Sequence, residues 1–146
     1  LTRAQFLTML ANTINNLDVT QANPAGFADV PAQEWYYNYV NWGFEQGIVS
    51  GIDDATFAPN EKITREQMAI MLDNFTNSTG LILPEMNEGV SFTDSALISS
   101  WAIDSVNKIV SSGLMGGYPE GDYRPQGSAT RAEAATVVYK LIMIEG

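Results

Sequence analysis

The chain repeats itself at a spacing of 66 residues, and that register restricts the fold more than any other property of the sequence. Moving along by this step carries Trp35 onto Trp101, Gly47 onto Gly113, Gly51 onto Gly117, Phe57 onto Tyr123, Pro59 onto Pro125 and Thr64-Arg65 onto Thr130-Arg131. Upstream, FADV at 27–30 and FTDS at 92–95 are offset by 65, so one residue enters between the Asp and the Trp, which marks a loop. Stepping back 62 residues from Arg65 reaches Arg3, where LTRAQFLTML matches ITREQMAIML in its apolar positions. The chain thus holds one half-repeat and two full repeats. Units of this size bury a core only by stacking on one another, and 146 residues suits one compact body.

Within each full repeat the order is a Phe-x-Asp loop, a helix, a Gly-rich turn and a second helix that opens at Thr-Arg. Tyr37, Val40 and Phe44 recur at helical spacing, and Ile103, Val106 and Val110 take the same places in the next copy. Both first helices stop at glycine. The turns, GIVSGIDDATFAPNEK and GLMGGYPEGDYRPQGS, are dense in Gly, Pro, Asp and Asn, which predicts irregular backbone. The apolar face of the second helix is Phe6, Met9 and Leu10 in the first copy, Met68, Met71, Leu72 and Phe75 in the second, and Val137, Val138 and Leu141 in the third. NLDVTQANPAG and NSTGLILPEMNEGVS read as linkers. The prediction is an all-α protein, roughly half helix, with little or no regular sheet.

Composition removes several functions. The formal charge is −10, seven Lys and Arg against seventeen Asp and Glu, so nucleic acid is not an expected partner. No apolar run is long enough to span a bilayer. Histidine and cysteine are absent, which removes the usual general base, the thiolate nucleophile and the usual zinc ligands. IDDATFAPNEKI begins acidic but lacks the alternating oxygens, central Gly and terminal Glu of an EF-hand, so no metal and no cofactor are expected. Asn74-Phe-Thr and Asn77-Ser-Thr fit the short glycosylation triplet, a pattern often met by chance. A first residue of Leu suggests that the chain was cut from something longer.

Thr-Arg-x-(Gln/Glu) occurs three times. Thr at the N-cap with Gln or Glu three residues on is a capping box, fitted by Thr2 with Gln5, Thr64 with Gln67 and Thr130 with Glu133. Capping is indifferent to the Arg between them, and a cation there opposes the helix dipole by about 0.3–1 kcal/mol. Yet three of the four arginines, Arg3, Arg65 and Arg131, occupy that place. Free N–H donors and a guanidinium together suit an anion. Alternatively each Arg pairs with an Asp such as Asp29 or Asp94 and pins a loop.

Phe-x-Asp, Trp, Gly-(Ile/Leu)-x-x-Gly, Phe/Tyr-x-Pro and Thr-Arg-(Ala/Glu)-(Glu/Gln), in that order, resemble the S-layer homology domain along essentially the whole chain. The second half of one copy falls at 1–17, a full copy at 27–79 and another at 92–146, together one compact domain. The resemblance implies a pseudo-threefold helical spindle with prongs, here with its first repeat only half present. It also implies an extracellular, cell-wall or S-layer associated protein that anchors a bacterial surface protein noncovalently. The ligand implied is secondary cell-wall polysaccharide, in many members one carrying pyruvate ketals on N-acetylmannosamine. The family's Thr-Arg arginine reaches the anionic sugar in a groove between copies, a role that falls here on Arg3, Arg65 and Arg131.

The middle copy departs from the family turn: Ile52, Ala55 and Ala58 stand where the last copy keeps Tyr118, Gly121 and Arg124. A groove using the middle turn is therefore expected to be weaker or structural. Without the first half of its first copy, the chain is expected to expose apolar surface from Phe6, Met9 and Leu10 unless a partner chain, self-association or an upstream segment covers it. Trp35 and Trp101 could stack on sugar, although Trp at the head of an amphipathic helix is more often a partly buried core anchor. Asp29 and Asp94 could bond sugar hydroxyls or cap a loop. Gly51 and Gly117 serve backbone conformation, or let their bare N–H groups approach a ligand. Two further functions stay open: a tether between outer membrane and modified peptidoglycan, and a glycosidase working through paired carboxylates. No carboxylate pair stands apart from the repeat pattern, so the expected protein is a binding module, not an enzyme.

Overall fold

The computed structural model describes residues 1–88 and 90–146, so Gly89 of the second linker lies outside the described residues. Among the described residues five α-helices carry the fold: α1 (Arg3–Ala11), α2 (Tyr37–Glu45), α3 (Arg65–Thr79), α4 (Ile103–Ser111) and α5 (Arg131–Glu145). Single 3-10 turns lie at Val19–Gln21 and Ser95–Leu97. Among the described residues, extended pairing is confined to two isolated bridges, Thr2 with Lys62 and Thr64 with Ser128. The molecule is all-α as the periodicity predicts. Its helices fill less than half of the chain, because the Gly- and Pro-rich turns are long.

Each Thr-Arg helix starts on its capping box. The hydroxyls of Thr2, Thr64 and Thr130 accept from the amides of Gln5, Gln67 and Glu133, whose side chains accept in return from the threonine amides. The start of α1 and of α3 is also tied to the copy that follows. The Arg3 and Ala4 amides donate to the carbonyls of Glu61 (2.9 Å) and Pro59 (3.1 Å). Those of Arg65 and Glu66 donate in the same way to Gly127 (2.9 Å) and Pro125 (2.9 Å). The orphan donors of both helix starts are thus satisfied by the next copy's backbone and are not free, which corrects the expectation of open amides there.

The core is continuous through all three copies and includes Phe6, Leu7, Leu10, Val40, Phe57, Met68, Leu72, Phe75, Val106, Ile109, Tyr123, Val137 and Leu141. α1 packs on α2, α3 and α5, and α3 packs on α4. Phe6 and Leu10 are therefore fully buried and Met9 half-buried, contrary to the expected exposure. Exposed apolar side chains lie elsewhere, among them Tyr139, Ile142 and Met143 of α5. The helical stripes hold at Val40, Val106 and Val110. They fail at the helix ends, where Phe44 and Ile103 are exposed, Phe44 in a T-shaped contact with Phe27 (ring centroids 5.4 Å apart).

Candidate functional site

Two grooves occupy equivalent places at the two junctions between copies. The first, of about 630 Å3, is lined by Arg3 of the first copy, the turn from Ile48 to Ile52, Gln67, Ile70, Met71 and Asn74 of the second, and Trp101 of the third. The second, of about 310 Å3, is lined by Arg65 of the second copy, the turn from Leu114 to Tyr118, and Glu133, Thr136, Val137 and Lys140 of the third. Advancing the first groove's turn and helix residues by the 66-residue repeat gives those of the second.

At the floor of each lies a buried arginine that crosses from one copy into the next. Arg3 Nε donates to the Phe57 carbonyl (3.0 Å) and Nη2 to the Ser50 carbonyl (3.3 Å), with the guanidinium 4.8 Å above the Phe57 ring. Burial pushes the Arg3 pKa down from its ordinary value, and the charges of Glu61 and Asp29 offset this only in part. Arg65 repeats the geometry: Nε to the Tyr123 carbonyl (2.7 Å) and Nη2 to the Gly116 carbonyl, over the Tyr123 ring at 4.7 Å. It adds an ion pair through Nη1 to Glu133 and a contact 4.7 Å from the Tyr118 ring. Arg131 is exposed and has no hydrogen-bond or ion-pair partner among the described residues.

The carboxylates singled out from sequence hold the turns. Asp29 Oδ1 and Oδ2 accept from the amides of Phe57 (2.9 Å) and Ala58 (2.8 Å), and Asp94 accepts from those of Tyr123 and Arg124 (both 2.8 Å). Partial burial, the largest influence, pushes the Asp94 carboxyl up, but the amides of Tyr123, Arg124 and Asp94 itself, with the charge of Arg124, together outweigh it and hold the group below the usual carboxylate range. Neither Asp pairs with a Thr-Arg arginine and neither lines a groove. Gly51 and Gly117 do line the grooves, and close packing demands them. A Cβ at Gly51 would lie 2.2 Å from the Asp53 carbonyl oxygen, and one at Gly117 would lie 2.5 Å from Phe92 Cε1.

Trp35 and Trp101 are exposed, by 54 % and 63 %, which corrects their reading as core anchors. Each precedes its helix by two residues, outside the stripe that packs inward. Trp101 stands at the rim of the first groove, and Trp35 makes a T-shaped contact with Tyr36. Sequence reasoning missed Glu66, a buried carboxylate that accepts from the Ser99 amide (3.0 Å) and hydroxyl (2.7 Å) and so ties α3 to the third copy. It also missed Gln67 and Glu133 as groove residues, because their capping role explained them fully.

The S-layer homology domain family matches residues 26–69 and 91–135, and the chain belongs to that family. It is 33 % identical to an amylopullulanase of Thermoanaerobacterium thermosulfurigenes over 99 % of this chain and 8 % of the relative. A cellulosome-anchoring protein of Acetivibrio thermocellus is 28 % identical over 94 % of this chain and 31 % of its own length. A surface-layer 125 kDa protein of Lysinibacillus sphaericus is 27 % identical over 97 % of this chain and 12 % of its own length. The chain spans less than a third of each of these relatives. Among the described residues, no helix is long and apolar enough to cross a membrane.

Proposed function

We propose that this chain is a noncovalent anchoring module at the bacterial cell surface. It binds a secondary cell-wall polysaccharide, a pyruvylated one, in the grooves between successive copies, and it performs no reaction of its own. Relatives named for starch degradation, cellulosome anchoring and the surface layer match it over nearly its whole length. A module shared by proteins of such different names is an attachment device and not a source of their activities. The observation that carries the reading is the first groove: one buried guanidinium in its floor, an exposed indole on its rim and hydrogen-bonding groups from Ser50, Gln67 and Asn74 along its wall. An indole face and a few fixed polar groups are what a sugar chain needs for binding without turnover. Arg3, Arg65, Trp101, Gly51 and Gly117 form the contact surface, Arg131 and Trp35 extend it outside the grooves, and Asp29 and Asp94 shape the turns.

The test is sedimentation of the purified chain with bacterial cell walls before and after removal of their non-peptidoglycan polymer. Binding lost with the polymer supports the proposal. Binding that survives its removal supports attachment to peptidoglycan instead. Release of sugar from wall fragments would contradict a purely binding role.

A further inference from the structure

The two grooves share a frame but differ where a ligand would meet the arginine. In the second groove all three guanidinium nitrogens of Arg65 are engaged, two by backbone carbonyls and Nη1 by Glu133. Glu133 also accepts from the Tyr118 hydroxyl (3.0 Å), and Tyr118 lies under a second guanidinium, that of Arg124, at 3.8 Å. Arg124 is itself tied to Asp122 (2.8 Å). The cation at the floor is neutralised in place and roofed by a clamped aromatic ring.

In the first groove each of these covering groups is replaced. Gln67 stands for Glu133, Ile52 for Tyr118 and Ala58 for Arg124. Arg3 Nη1 has no partner among the described residues, and no carboxylate lies within ion-pair distance of the guanidinium. Among the described residues the groove lining contains no Asp or Glu, so Arg3 is the charge it presents, with Glu61 and Asp29 acting on it only from beyond ion-pair distance. The Gly51 amide beside it donates to no other group among the described residues. Desolvation around a buried, unpaired cation strengthens its attraction for an anion that reaches it. The second groove does hold another cation, Lys140, but this ammonium is exposed and donates to the Gly113 carbonyl at 3.1 Å, where water screens it.

We propose that the two grooves take different parts of the polymer: the first binds an acidic sugar residue through the open edge of Arg3, whereas the second, closed by Glu133, takes uncharged sugar only. The residue at the third helical position after Thr, Gln67 or Glu133, is the specificity determinant. This inference rests on the polysaccharide-binding reading above. It also reverses the expectation that the groove with the divergent middle turn is the weaker one, since those divergences are what uncover the arginine.

The proposal is tested by amide NMR titration of the whole chain with N-acetylmannosamine bearing a pyruvate ketal, and separately with the same sugar lacking it. Gly51 reports the first groove and Gly117 the second. The reciprocal variants Gln67→Glu and Glu133→Gln each install a residue that another copy already carries in the same capping box, so the helix starts are retained. Expected results are saturable shifts at Gly51 with the ketal sugar, affinity about tenfold lower or worse without the ketal, and at Gly117 shifts with the ketal-free sugar but not with the ketal sugar, one lost charged hydrogen bond corresponding to at least that factor. Gln67→Glu should weaken ketal binding at Gly51 by a similar factor, and Glu133→Gln should create a ketal preference at Gly117. Equal ketal binding at both glycines, no binding at either, or indifference to Gln67→Glu would overturn the proposal. Wall sedimentation of the same samples separates the two readings: a wild-type chain that sediments with walls but shows no ketal preference loses this inference and keeps its anchoring role.

Discussion

Ala58 and Arg124 stand in the left-handed backbone region, at φ 61° and 58°, where a Cβ costs roughly 1–2 kcal/mol. In each case an Asp from the Phe-x-Asp loop accepts that residue's amide and the one before it, holding the strained turn in place. Ala58→Gly is therefore expected to stabilise the protein by about 0.5–1 kcal/mol, relief of strain outweighing the added chain entropy, as urea unfolding would measure. Asp94→Asn removes one charged acceptor and should cost about 2 kcal/mol at neutral pH. The sign of its pH dependence follows from the depressed carboxyl. Its contribution is complete above the ordinary Asp value of about 3.9 and is lost as pH falls through the lower folded value. The melting-temperature gap between wild type and Asp94→Asn should accordingly be constant from neutral pH to about pH 5 and narrow below about pH 4. A gap that widened in acid would contradict the double-amide assignment.

Between elements, one relation is used twice: the arginine that opens a helix enters the turn of the following copy. Arg65→Ala should cost about 3 kcal/mol or more, because it strips two turn carbonyls of donors and leaves Glu133 without its cation. Arg131→Ala, from the same motif, should cost less than about 0.5 kcal/mol, since nothing in the described residues receives that side chain. Denaturant unfolding of the two variants side by side checks the contrast. The helices, their capping boxes and the family were legible in the sequence because they are local patterns: 3.6-residue spacing, Thr followed by Gln or Glu, and an ordered series of anchors. The destination of each arginine was not, because its acceptors are backbone carbonyls, which every residue carries and no letter announces. The exposure of Trp35 and Trp101 was hidden for a related reason. A residue just ahead of a helix is not governed by that helix's stripe. Gln67 and Glu133 were visible as caps, and their difference as groove residues emerges only when the turn of Tyr118 is folded over Arg65.

At the scale of the whole molecule the junctions are serial, and the last Thr-Arg helix bears the difference. Thr76 on α3 is buried, while its counterpart one repeat later, Ile142 on α5, is 47 % exposed. Thr76→Lys should cost about 3 kcal/mol or more by burying a cation, whereas Ile142→Lys should leave the melting temperature nearly unchanged, within the effect of about 0.5 kcal/mol usual for surface changes. Comparable losses from both would show that α5 is covered as α3 is. The forward reach of the arginines also governs the order in which the chain can be completed as it is made. Arg3 waits for carbonyls 47 and 54 residues further on, and Arg65 for carbonyls 51 and 58 residues further on. The first two copies cannot finish themselves; each is completed by the arrival of its successor on the ribosome. A chain released after residue 79 should hold α1 against the second turn, with slow amide exchange at Leu7. Its α3 should fray, with fast exchange at Met68, whereas a chain released after residue 128, which carries the turn into which Arg65 locks, should protect Met68.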